Sequence, residues 1–134
     1  MNEIEKPVLL IVEDDYENQK LLNAYLKKYF VLNFADNVDD CYTILKDVTI
    51  DMFLVDIALR GDKDGLQFVK ELRQTELYKN SPIVCISAHV FPQDRKNAFD
   101  AGVDEFLPRP IYNKDLLQAL KKVYKEKAGK DFTV

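Results

Sequence analysis

The stretch MFLVDIALRGDKDG, residues 52–65, runs four apolar residues straight into Asp56 and then breaks into charges and glycines. An unbroken apolar run marks a strand covered on both faces, as in a parallel sheet wrapped by helices. Ending such a strand on a carboxylate costs free energy unless the group is paired or opens onto polar surroundings. Asp56 therefore has to be met by partners from elsewhere in the chain.

Working outward, the same rhythm recurs. VLLIV (8–12), VLNFA (31–35) and IVCIS (83–87) read as strands, and the weaker DEFLP (104–108) is placed as a fifth by spacing. Between them apolar residues fall at helical intervals: Leu21, Leu22, Tyr25, Leu26 and Tyr29, then Cys41, Ile44, Leu45 and Val48 after an Asp36–Asn37 turn. Leu66, Val69 and Leu72 follow Asp64, which suits an N-cap. Pro92 fits the first turn of a fourth helix that Gly102 would close in the left-handed conformation. Leu116, Leu117, Leu120, Val123 and Tyr124 make the last helix, with Asn113 as its expected cap. Strand and helix alternate five times with short links, which predicts an open parallel α/β sheet wrapped on both sides. One domain is expected over residues 1–134, its core at about 6–126; the end, KEKAGKDFTV (125–134), is expected to fray, and a tail over 127–134 to be flexible.

Composition narrows the function classes. Lys and Arg number 19 against 23 Asp and Glu, a net charge of −4, which argues against a broad nucleic-acid or anionic-membrane footprint. No apolar run approaches the roughly 18 residues that span a bilayer, and Glu3 and Glu5 at the start differ from the basic opening of a signal peptide. Cys41 and Cys85 sit inside apolar patterns, with no CxxC spacing, and read as reduced core thiols. A cytoplasmic location is expected, with no direct nucleic-acid binding and no membrane partner.

In sheets of this kind ligands bind outside the carboxyl ends of the strands. The first strand ends in Glu13-Asp14-Asp15, the third in Asp56, the fourth in Ser87, and Arg109 follows the fifth. Converging carboxylates make a hard oxygen site suited to Mg²⁺. With a hydroxyl and a guanidinium beside it, such a site suits phosphoryl transfer, the carboxylate attacking to form an acyl phosphate. There is no GxxxxGK[ST], HExxH or GxSxG pattern to suggest other chemistry.

LLIVEDD, FLVDIAL…DG, IVCISAH and AGVDEFLPRP, in that order at successive strand ends, give the chain a close resemblance to the receiver domain of two-component response regulators, over roughly residues 6–126. The resemblance implies a flavodoxin-like (βα)5 doubly wound sheet of strand order 2-1-3-4-5. It implies Asp56 as phosphoacceptor, served by a histidine kinase or histidine phosphotransfer protein. Asp14 and Asp56 would ligate Mg²⁺ directly, Glu13 through water, and Ala58 through its backbone carbonyl. Ser87 would bind a phosphoryl oxygen and shift towards it, and Phe106 would be the switch aromatic that turns inward when Ser87 moves. The fourth helix, fifth strand and fifth helix would form the face for an unidentified downstream protein or for a homodimer.

Two departures stand out. The family's lysine before a proline is Arg109, which keeps the charge but is planar and bidentate; its bond to Pro110 is a candidate cis peptide. The loop IALRGDKDG after Asp56 is one residue longer than the usual spacing and lacks its usual proline. Ala58 offers no side chain to orient a hydrolytic water, so slow autodephosphorylation is expected. Singly, each residue has an ordinary reading: Asp14 and Asp15 can cap the first helix, Ser87 can be a plain strand-end hydroxyl, Arg109 a surface charge, Phe106 core and His89 a solvated loop residue. The ordered set carries the assignment of a non-enzymatic signalling switch. The alternative is a constitutive interaction module with reduced switching. A Mg²⁺-dependent phosphohydrolase is the weaker third, lacking an acid at Ala58 and room for a substrate-binding cap. No output domain follows residue 126, as expected of a stand-alone receiver or of a piece of a hybrid kinase or larger regulator.

Overall fold

The structure, a computed structural model, describes residues 6–57, 64–88 and 91–129. Strands β1 (Val8–Val12), β2 (Val31–Ala35), β3 (Met52–Asp56), β4 (Ile83–Ser87) and β5 (Glu105–Pro108) alternate with helices α1 (Tyr16–Leu26), α2 (Val38–Asp47), α3 (Gly65–Arg73), α4 (Pro92–Ala101) and α5 (Asn113–Ala128). The five strands form one parallel sheet in the order β2-β1-β3-β4-β5. The order expected from the resemblance is the order found.

The unbroken apolar runs do what their composition demands. In β1, Leu10 and Val12 pack with Phe53, Val55, Cys85, Phe68, Val69 and Ala98, whereas Leu9 and Ile11 pack with Met52, Leu54, Leu26, Leu116 and Leu120. Successive side chains thus feed two separate cores, one under α2, α3 and α4 and one under α1 and α5. Exposure is concentrated on the edge strands: Val31 at the head of β2 is half exposed, and Pro108 ends β5 in the open, while inside the sheet only Val8 at the head of β1 is partly exposed. Both cysteines are free and buried in the first core, and burial pushes each thiol up to about 12.

Local caps explain where helices begin. Asp15 accepts from the backbone N–H of Glu17 and Asn18, Asn37 from Asp40, and Asp64 from Gln67. Gly102, at φ 118°, closes α4 as its place in the sequence predicted. One expectation needs correction. Asn113 is the first residue of α5; the cap position is Tyr112, and no side chain bonds there. The helix continues through Ala128, where Lys127 reaches Asp104 at 3.2 Å and Val123 and Tyr124 bury the preceding turn.

That Asp104 belongs to a hub at the amino-terminal edge of the sheet. Arg73, the last residue of α3, donates through Nε to the Gly102 carbonyl at 2.8 Å. Its Nη1 donates to those of Ser81 and Lys79 at 2.7 and 3.2 Å, and its Nη2 to Asp104 at 3.0 Å. Asp104 also accepts from the Ile83 N–H at 2.8 Å. One guanidinium thereby ties α3, the entry to β4 and the turn from α4 to β5.

Candidate functional site

At the opposite edge the strand ends bring the acidic residues together. Register sets Asp56 beside Ile86, and the Ile57 N–H donates to the Ile86 carbonyl, so Asp56 and Ser87 stand on adjacent strands. Arg109 is brought alongside because its N–H donates to the Ser87 carbonyl at 3.0 Å. Glu13 is fixed by its N–H to the Ala35 carbonyl at 3.0 Å. Oxygens of Glu13, Asp14 and Asp56 lie within 4.8 Å of one another.

Three carboxylates this close repel unless a cation joins them. Arg109 Nη2 donates to Glu13 Oε1 at 2.5 Å and to Asp56 Oδ2 at 3.2 Å. Its one nitrogen thus bridges strands β1 and β3. The Glu13 side chain is 1% exposed, and burial, then the Asp56 charge, push its carboxyl above the usual carboxylate range despite the guanidinium. One positive charge among three acids leaves the cluster negative, and its donors are hard oxygens. The set fits Mg²⁺, with Glu13, Asp14 and Asp56 as the residues that could hold it.

The expected residues otherwise fall as follows. Ser87 is fully buried at the end of β4, and Phe106 is 4% exposed on β5. Cys85, two residues before Ser87, is in register with Phe106, so both face the α4 side of the sheet. The Arg109–Pro110 bond is cis. The Asp15 side chain serves as the α1 cap, while its backbone N–H donates to Glu13 Oε2 at 3.3 Å. Ala58 and His89, with most of the lengthened loop, lie outside the described residues.

Two residues escaped the sequence reading. Gln19 Nε2 donates to the Glu13 carbonyl and to Asp36 Oδ1, each at 2.6 Å, which steadies the β1 end; a lone glutamine on a helix carries no signal of this. Gly65 opens α3 so close to β3 that a Cβ there would stand 2.5 Å from the Asp56 carbonyl oxygen and 2.8 Å from Ile57 Cα. Beside Arg109, α1 and the connection from β5 to α5 enclose a groove of about 510 Å³ lined by Leu21, Leu22, Tyr25, Pro110 and Ile111.

Residues 9–121 match the family model of the response regulator receiver domain. The chain is a member of that family. Among curated relatives, the transcriptional regulatory protein KdpE of Staphylococcus aureus is 34% identical over 83% of this chain and 46% of its own length. The phosphate regulon regulatory protein PhoB of Escherichia coli is 27% identical over 86% of this chain and 50% of its own. This receiver thus spans about half the length of these regulators. A putative response regulator of Chloroflexus aurantiacus superposes with a TM-score of 0.83 at 26% identity, covering 90% of this chain and 98% of that one. The receiver domain of the sensor histidine kinase PA1611 of Pseudomonas aeruginosa, whose structure has a magnesium ion coordinated in the active-site cleft, gives 0.79 at 24% identity, covering 89% and 98%. Receivers of this family are signalling domains of two-component systems, and this one has no helix, among the described residues, long and apolar enough to cross a membrane.

Proposed function

We propose that the chain is a phosphoacceptor switch in which Asp56 takes a phosphoryl group from a phosphohistidine of a kinase or phosphotransfer protein, over one receiver domain with its core at about residues 6–126. The observation that supports this most is the Asp56 carboxylate itself. It ends a wholly buried strand, within 4.8 Å of two further carboxylates and 3.2 Å from a guanidinium. In the transfer an Asp56 Oδ forms a bond to phosphorus as the bond from phosphorus to the imidazole nitrogen breaks, and the imidazole leaves. A bound Mg²⁺, held by Asp14, Asp56 and the carbonyl of Ala58 and through water by Glu13, would neutralise charge on the phosphoryl oxygens. Arg109 turns from Glu13 and Asp56 towards the transferred group, to which its fork can donate two hydrogen bonds. The Ser87 hydroxyl donates to a phosphoryl oxygen, and its shift alters packing beside Phe106, changing the face formed by α4, β5 and α5. Phosphorylation thereby biases a two-state equilibrium of partner binding at that face, with a downstream protein or a second copy. The apolar groove beside Arg109 favours a protein donor over free phosphate.

Intact mass after incubation with Mg²⁺ and acetyl phosphate tests the assignment. One phosphoryl adduct is expected on the wild type and none on Asp56→Asn or without Mg²⁺. An adduct that survives Asp56→Asn sinks it. With Ala58 two residues beyond the acceptor, the adduct is expected to persist well beyond seconds.

A second reading, an interaction module with reduced switching, draws support from Arg109, which stands where the family has a lysine and already pairs with Glu13 and Asp56.

A further inference from the structure

The turn from β1 to α1 carries Asp14 between two peptides that are both held. Before it, the Glu13 N–H donates to the Ala35 carbonyl at 3.0 Å, and the Glu13 carbonyl accepts from Gln19 Nε2 at 2.6 Å. After it, the Asp15 N–H donates to Glu13 Oε2 at 3.3 Å while the Asp15 side chain caps α1. Gln19 lies one turn into that helix, its own N–H bonded to the Asp15 carbonyl at 2.9 Å. Its side chain reaches back six residues to Glu13, and the same nitrogen donates to Asp36 Oδ1, just past β2, at 2.6 Å. A carbonyl and a carboxylate only accept, so the nitrogen of the Gln19 amide is the atom that must face them.

A peptide unit is planar, so fixing the Glu13 carbonyl also fixes the Asp14 N–H and the direction in which the chain enters Asp14. Asp14 supplies one of the three carboxylates whose oxygens lie within 4.8 Å of one another. Two ions of equal charge distinguish a held trio from a loose one. Mg²⁺ demands near-ideal octahedral geometry at short distances, whereas Ca²⁺ accepts longer bonds and flexible arrangements. We propose that Gln19 is a positioning residue for the acidic site. By clamping the Glu13–Asp14 peptide against Asp36, it holds the Asp14 carboxylate in the arrangement that favours Mg²⁺ over Ca²⁺. This rests on the phosphoacceptor reading only for the site's being one that takes a divalent ion; the clamp itself is built from α1 and the two strand ends. Gln19 is half-buried and Asp36 exposed, so loss of the clamp loosens this edge and leaves the fold.

Calorimetric titration of the full chain with Mg²⁺ and, separately, with Ca²⁺ tests the clamp. Gln19→Met keeps the length of the side chain and removes its donor. Mg²⁺ binding is expected to weaken about ten-fold, as when a group that orients a metal's ligands is lost. Ca²⁺ binding should weaken by a smaller factor, so the preference for Mg²⁺ narrows. Gln19→Lys, whose ammonium can donate to the same two acceptors, is expected to restore the preference. Its added charge acts alike on two divalent ions and cancels in their ratio. A merely structural glutamine would lower the melting temperature and leave the ratio of the two affinities as in the wild type, and that result overturns the proposal. A Gln19→Lys ratio no better than that of Gln19→Met overturns it as well. Failure of the acceptor reading is told apart from both, since it appears as a missing Asp56 adduct with acetyl phosphate while the ratios still respond to Gln19. A wild type that binds neither ion overturns the two together.

Discussion

Arg73 and Arg109 stand at opposite edges of one sheet and do opposite things. Arg73 spends its donors on three backbone carbonyls and one carboxylate, and that carboxylate is itself shared with the Ile83 N–H and Lys127. Polar groups there are matched, which rigidifies the edge and leaves little to attract a ligand. Arg109 divides one nitrogen between two carboxylates of a close trio. Charge there is unbalanced, which suits that edge to the phosphoryl chemistry proposed for it. The comparison teaches that a satisfied network marks structure, whereas a concentrated, partly compensated one marks a site.

The largest expected effect breaks the satisfied edge. Arg73→Met keeps the apolar stem but strips the donors from Asp104 and three carbonyls; the side chain is 17% exposed. A loss of about 2–3 kcal/mol is expected in urea unfolding, somewhat below the range for breaking a fully buried pair. Acetyl phosphate should still label the folded protein at Asp56. A loss under about 0.5 kcal/mol would make Arg73 an ordinary surface charge.

Helix α3 runs from one edge to the other, and Gly65 begins it against the Asp56 carbonyl. Gly65→Ala puts a methyl where backbone already stands, so about 1–3 kcal/mol of overpacking is expected. Unlike Arg73→Met, it should also slow labelling of Asp56, because the displaced atoms belong to the strand of the proposed acceptor. Normal labelling with normal stability would show that α3 simply moves away.

At the unbalanced edge, Arg109→Gln removes a cation that competes for Glu13 and Asp56. Mg²⁺ binding, by calorimetry, is expected to tighten at least about five-fold, the lower range of couplings between sites, with unfolding stability changed far less than by Arg73→Met. Weaker Mg²⁺ binding would mean that Arg109 organises the carboxylates and does not compete.

The smallest effect concerns pH. The Glu13 carboxyl is raised, chiefly by burial and then by Asp56. The folded state therefore holds its proton to higher pH than the unfolded chain, so this group's contribution to stability falls as pH rises through the raised value. Mg²⁺ needs the ionised form, and the stabilisation it gives in thermal melts should shrink on acidification through that window. A stabilisation independent of pH there would remove Glu13 from the ion's ligands.

Sequence by itself determined the sheet and which carboxylates gather at its carboxyl edge. Strand ends are written locally, in apolar runs that stop at Glu13, Asp56 and Ser87, and a parallel sheet brings its carboxyl ends to one edge whatever the details. Helix ends at Asp64 and Gly102 were similarly local and legible, as was Asp15 as one of two candidate caps, while Asn37 was read as a turn residue and proved to be a cap. The start of α5 was misplaced by one residue because its cap makes no side-chain bond, and its end was set by Lys127 reaching Asp104, a contact 23 residues away in the chain. Only the tertiary structure decided which charges pair. Arg73 and Asp104 are 31 residues apart, Arg109 and Glu13 96 apart, and nothing in a one-dimensional pattern assigns either arginine its partner. The same holds for the buried Phe106: periodicity says which face a ring is on, but the rotamer it adopts depends on atoms that only folding brings near.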